Sequence, residues 1–214
     1  MNLRVTLCSC NGSGERRISA GIFFLLQAIA LLSAFVTGAV RAAETKHEIN
    51  PKNGIETWEV RDQGVFLSLT QMTPDQAEAF FLARGFHQKS AKKYASACVF
   101  ETIFRNESAP AAVSSNLADW RIITPQGERH LKLEADWDRQ WKADGVSEPA
   151  RIAFRWSQFP TKQRFEPGDW NQGMTTFGLP RNSQFNLIFK WTVKGVSHES
   201  MLSGVRCAPD NDSR

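Results

Sequence analysis

Phe185, Leu187, Phe189, Trp191 and Val193 occupy every second position of one segment, the cleanest alternation in the chain. Side chains at that spacing share one face of a β-strand, so five large apolar groups commit the segment to a sheet with one well-buried side. Lys194-Gly195 then predicts a turn into a last strand, where Met201, Ser203, Val205 and Cys207 share a face. The same period recurs upstream in Val65, Leu67 and Leu69, in Cys98, Phe100, Thr102 and Phe104, and in Ile152, Phe154 and Trp156. Residues 117–124 are expected as a further strand, ended by Pro125-Gln126-Gly127.

Two segments break this period. Thr73 as N-cap, Pro74 at the first helical position, Asp75 in the first turn and Gln76 three residues after the cap predict a helix that stops at Gly85. Leu133, Trp137 and Trp141 recur every four residues, with Asp138 and Lys142 as an i,i+4 pair, and predict a second helix over 131–144. Lys89, Lys92 and Lys93 read as a solvated loop. Two short helices among six or so strands predict a mainly β single domain over 55–208, either a β-sandwich or an open barrel. The strand, Trp and Cys spacing near the C-terminus has an immunoglobulin-like flavour, and no internal repeat is visible. A flexible tether over 43–54 and a polar tail over 209–214 are expected to flank the domain.

Arg16 and Arg17 precede an apolar stretch, 18–40, after which polar sequence resumes at Glu44. That order is the order of a signal peptide, with Val40 and Ala42 at the −3 and −1 positions of a cleavage site, so 1–42 is assigned as signal. An uncleaved anchor is the alternative, and membrane association is expected only in that case. Either way the domain lies outside the cytoplasm, periplasmic or secreted. Cys8 and Cys10 fall in the signal, and Cys98 and Cys207 remain as an expected disulfide.

The formal charge of +4 suggests an acidic partner, but the first 42 residues hold four arginines against Glu15 alone. The remaining 22 basic and 21 acidic residues offer no field for nucleic acid. No nucleophile signature of the Gly-x-Ser-x-Gly type occurs, and His47, His87, His130 and His198 are scattered singly. Glu134 and Asp138 would sit side by side on one helix rather than across a cleft, which fails the geometry of a glycosidase pair. An enzyme would therefore need a site assembled in space. Met72, Met174, His198 and Met201 are the soft ligands that copper delivery or metalloenzyme maturation would require; no other cofactor is indicated.

The remaining constellation is aromatic. Phe165, Trp170 and Phe177 stand with Asp169, Asn171 and Met174 in a Gly/Pro-punctuated stretch expected to be a loop. Apolar rings beside amides and a carboxylate suit recognition of a protein partner or a glycan, so a non-catalytic binding or accessory domain is the leading expectation. Asn106-Glu107-Ser108 and Asn211-Asp212-Ser213 are glycosylation acceptors if the chain enters a eukaryotic secretory pathway. N-terminal sequencing of the exported protein is expected to start at Ala43. Recovery only from membranes, with residues 18–40 attached, would identify an anchor instead.

Overall fold

The computed structural model describes residues 42–209, so the expected signal up to Arg41, the expected tail beyond Pro209 and the acceptor at Asn211 lie outside the described residues. Among the described residues the protein is mainly β, with two antiparallel sheets, four α-helices and no closed barrel. No helix among them is long and apolar enough to cross a membrane.

Sheet A runs β1 (Glu44–Ile49), β2 (Glu56–Asp62), β3 (Val65–Gln71) and β4 (Val99–Asn106) as a meander, with β9 (Trp170–Thr176) added at the β4 edge. That sequential order departs from the immunoglobulin pattern, which interleaves distant strands within each sheet. β1 lies in the segment expected to be a tether. All six of its residues are exposed, so it has no apolar face to advertise; it is held by pairing with β2 and by His47, which stacks on Trp58 at 4.7 Å and meets the Glu56 carboxylate at 2.8 Å. Charged residues on an exposed edge also discourage pairing with other chains.

Sheet B contains β5 (Val113–Asn116), β6 (Arg121–Thr124), β7 (Gly127–His130), β8 (Lys162–Phe165), β10 (Gln184–Val193) and β11 (Val196–Arg206). β11 pairs along the whole of one edge of β10. The other edge is shared: β6 takes Asn186–Ile188 and β5 takes Trp191–Val193. The expected strand over 117–124 is therefore interrupted by a 3₁₀ turn at Leu117–Asp119. Trp120 fills the fork. Its fully buried indole donates to the Lys190 carbonyl at 3.2 Å, at the stretch of β10 where neither β5 nor β6 pairs.

The inner faces of both sheets share one apolar core, in which Leu67, Phe100 and Phe104 meet Ile122, Phe165, Phe189 and Trp191. Cys98 and Cys207 are bonded across this core, with Cα atoms 5.1 Å apart, and so join the start of β4 to the end of β11. Two polar knots reinforce the join. Buried Glu56 receives Arg206 and His47, and the Gln71 amide donates to the Arg206 carbonyl at 2.8 Å. Buried Asn106 donates to the carbonyls of Ala111 and Phe165 and accepts from the Ala109 N–H. With both amide hydrogens engaged in the interior, Asn106 is not an accessible glycosylation acceptor in the folded domain.

The helices are α1 (Pro74–Leu82), α2 (Gln88–Ala95), α3 (Glu134–Ala143) and α4 (Glu148–Ser157). The capping box of α1 forms as its sequence predicts, with Thr73 and Gln76 exchanging both hydrogen bonds. Two segments correct the sequence reading. The lysine-rich stretch is the outer side of α2, whose buried Ser90, Ala91, Tyr94 and Ala95 recur at helical spacing. The expected strand at Ile152–Trp156 belongs to α4: its alternation is accidental, because only Phe154 points inward while Ile152 and Trp156 lie i,i+4 on the exposed side.

These helices reveal a repeat that residue identities hide. N-caps Thr73 and Leu133, glycines 85 and 145, and N-caps His87 and Ser147 recur at a constant offset, with the same burial sequence over 81–90 and 141–150. Each hairpin turns through a glycine with positive φ (+85° at Gly85, +74° at Gly145) whose successor returns its N–H to the helix, Phe86 to Phe81 and Val146 to Trp141. Phe81 and Tyr94 of one hairpin pack on Trp141 and Phe154 of the other to form a second core, against Val99 and Met174 on the outer side of sheet A. The Tyr94 hydroxyl donates to Gln158 Oε1 at 2.7 Å, and burial pushes its pKa up. Asp138 of α3 accepts from Arg151 and Arg155 of α4, which replaces the expected pairing with Lys142.

Past α4 the chain crosses directly over β9. A Cβ at Gly173 would lie 2.4 Å from the Phe159 nitrogen and 2.6 Å from the Gln158 carbonyl carbon, and the Phe159 N–H donates to Met174 O at 3.0 Å. Gly173 has an ordinary φ, so Gly173→Ala is expected to destabilise through overpacking alone, by about 1–3 kcal/mol, measurable by denaturant unfolding. The Arg151 hydrogen bond, with Arg155 beside it, holds the Asp138 carboxyl below the usual carboxylate range although burial opposes this. The resulting stability is present above the ordinary aspartate pKa and is lost as pH falls through the lowered one. Thermal melts from neutral pH into acid should show Asp138→Asn less stable at pH 7 and less pH-sensitive in the acid limb.

Candidate functional site

The stretch expected as a recognition loop is two strands and a turn. β8 ends at Phe165 in sheet B, Asp169 accepts from the Glu166 N–H at 2.9 Å in the turn, and β9 starts at Trp170 in sheet A. The aromatic set is thereby split. Phe165 lies 4.9 Å from Phe104, and Phe177 lies 4.8 Å from Phe185, both inside the shared core and out of reach of a ligand. Met174 is buried under the helices. Trp170 is 53% exposed, and Asn171 beside it donates to Gln163 Oε1 at 2.7 Å. The rings divide because strand parity sends Phe165 and Trp170 to different sides of their sheets.

The soft-ligand set is divided too. His198 stacks on Trp191 at 5.6 Å and Met201 lies exposed on the opposite face of β11, while Met72 and Met174 belong to the sheet A side. Met72 and Met174 do share one small cleft, where their thioethers sit among Phe80 and Trp156 and serve as apolar packing. Among the described residues no three His, Cys, Asp or Glu side chains group as metal ligands.

Pairing registers define the surface that Trp170 joins. On the outer side of sheet A, residues opposite one another across β2, β3, β4 and β9 form three rows. The first is Thr57, Thr70, Glu101 and Met174; the second Glu59, Ser68, Ile103 and Gln172; the third Arg61, Phe66, Arg105 and Trp170. Helices cover the Met174 end of the first row and leave the other two open. In the third row the Arg61 guanidinium lies 4.4 Å from the centre of the Phe66 ring and Arg105 lies 6.0 Å from it, so a buried ring carries two oriented cations next to Trp170.

Where the helix layer meets the open sheet there is a cleft in three adjoining parts of about 950, 290 and 370 Å³. The first and second share Met72, Phe80 and Glu101; the second and third share Trp156 and Gln172. Trp156 stands at this junction 87% exposed. It was expected in a buried strand, and the signal that would have placed it is Ser147-Glu148-Pro149, an N-cap followed by proline in the first helical turn. Phe80, lining the opposite stretch, is covered by the Arg84 guanidinium at 3.3 Å. Glu101, Gln172 and Trp156 were invisible as a site because they come from three separated segments.

No family model, no curated protein and no solved structure matches this chain.

Proposed function

We propose that this protein is an exported, non-catalytic recognition or accessory domain, built as a β-sandwich with a helical layer. It binds a protein partner or a glycan on the outer side of sheet A. The observation that carries this reading is the pair of exposed tryptophans flanking Gln172: Trp170 on β9 and Trp156 at the end of α4. Large rings exposed on a rigid scaffold beside amides and a carboxylate combine contact area with groups that fix orientation. The Cys98–Cys207 disulfide supports a location outside the reducing cytoplasm, periplasmic or secreted.

The test compares tryptophans of different placement. Trp191 is 1% exposed, and Trp191→Ala is expected to cost about 3–5 kcal/mol of stability. Trp156→Ala and Trp170→Ala are expected to leave the thermal midpoint nearly unchanged and to weaken ligand capture from a cognate extracytoplasmic extract by about tenfold or more. Capture unaffected by both variants would remove the basis of the reading.

A further inference from the structure

Resting on the recognition reading, we infer that the cleft between the helix layer and sheet A takes a linear glycan of neutral or amine-bearing sugars, laid across the strands with Trp156 stacking on one sugar ring. Glu48, Thr57, Thr70, Glu101 and Gln172 line the cleft in the order of the strands that carry them, β1, β2, β3, β4 and β9. Neighbouring strands lie about 4.8 Å apart, close to the length of one pyranose residue in an extended glycan. Each strand therefore offers its side chain to successive sugars of one chain.

The chemistry of the walls agrees. Along the cleft stand hydroxyls, amides and the carboxylates of Glu48 and Glu101, with Lys52 at the β1 end, while Met72, Phe80 and Trp156 provide the apolar side. That combination matches a sugar, whose ring faces are apolar and whose edges carry hydroxyl donors and acceptors. An extended peptide gains most from pairing its backbone with an open strand edge. Here β2, β3 and β4 are each paired on both sides, so the middle of the floor offers a peptide no free backbone edge, and the open edges of β1 and β9 lie only at its two ends. Charge narrows the class further. Glu101 lies where the first two parts of the cleft meet, and among the described residues its side chain has no ion pair or hydrogen bond. An unpaired carboxylate accepts from hydroxyls or an ammonium and repels uronic acids.

Titration calorimetry with chitohexaose, cellohexaose and a hexamer of galacturonic acid tests this directly. At least one of the two neutral hexamers is expected to bind, more tightly than its own dimer, with the acidic hexamer rejected. Trp156→Ala should weaken the neutral hexamer about tenfold or more, with an unchanged thermal midpoint showing that the fold survives. Glu101→Gln should narrow the discrimination against the acidic hexamer. Wild-type protein that ignores both neutral hexamers, or binds them equally well as Trp156→Ala, overturns the glycan assignment. If Trp156→Ala still abolishes capture from extract in that case, the occupant is a protein and the recognition surface stands. If capture is also unaffected, the surface itself is wrong.

Discussion

Where α4 ends, the chain passes over β9 so closely that no side chain fits at position 173. The arrangement of the candidate site depends on that crossing. The parallel bridge between Gln158 and Met174 and the Phe159 N–H bonded to Met174 fix the end of α4 against the middle of β9. Trp156, two residues before the bridge, is therefore held beside Gln172, two residues before Met174. The same crossing carries the chain from the helix layer into sheet B, so the second core, the cleft and the shared core are joined at one backbone contact.

Around that crossing, the two sheets are joined by devices of different chemistry. The disulfide ties the ends of β4 and β11, and Asn106 ties the far end of β4 to β8 through the Phe165 carbonyl and to the segment before β5 through the Ala111 carbonyl. Glu56, Arg206 and Gln71 tie β2 and β3 to the end of β11. A buried carboxylate is costly alone, and a charge-assisted bond to Arg206 offsets its desolvation. Trp120 has a comparable role inside sheet B, where its indole supplies the partner that a continuous strand would have given Lys190.

The reading of local structure succeeded where one segment carried its own complete signal. The Thr73–Gln76 box and the 185–193 alternation are of this kind, because a cap needs only its own turn and a half-buried strand only its own period. It failed at Glu44–Ile49 and Gln88–Ala95, where one element has no apolar face and the other a stripe made largely of alanine and serine. It failed differently at Ile152–Trp156, where a short apolar alternation fits a strand as well as a helix until a core decides which residues turn inward. The helical repeat was hidden for the same reason: Phe81 and Trp141, or Tyr94 and Phe154, fill equivalent volumes without resembling one another as letters.

By itself the sequence determined the mainly β class, the helix starting at Thr73, the helix centred on Trp137 and Trp141, and the pairing of Cys98 with Cys207, the two cysteines that follow the apolar stretch 18–40. Each follows from local periodicity, from a cap, or from there being a single possible pair among the cysteines beyond residue 40. Only the tertiary structure decided which tryptophans face solvent, that Phe165 and Phe177 are core, and that Glu101, Gln172 and Trp156 converge. Those outcomes depend on strand parity, on pairing register and on the crossing at Gly173, which place residues from distant segments on one side of one sheet.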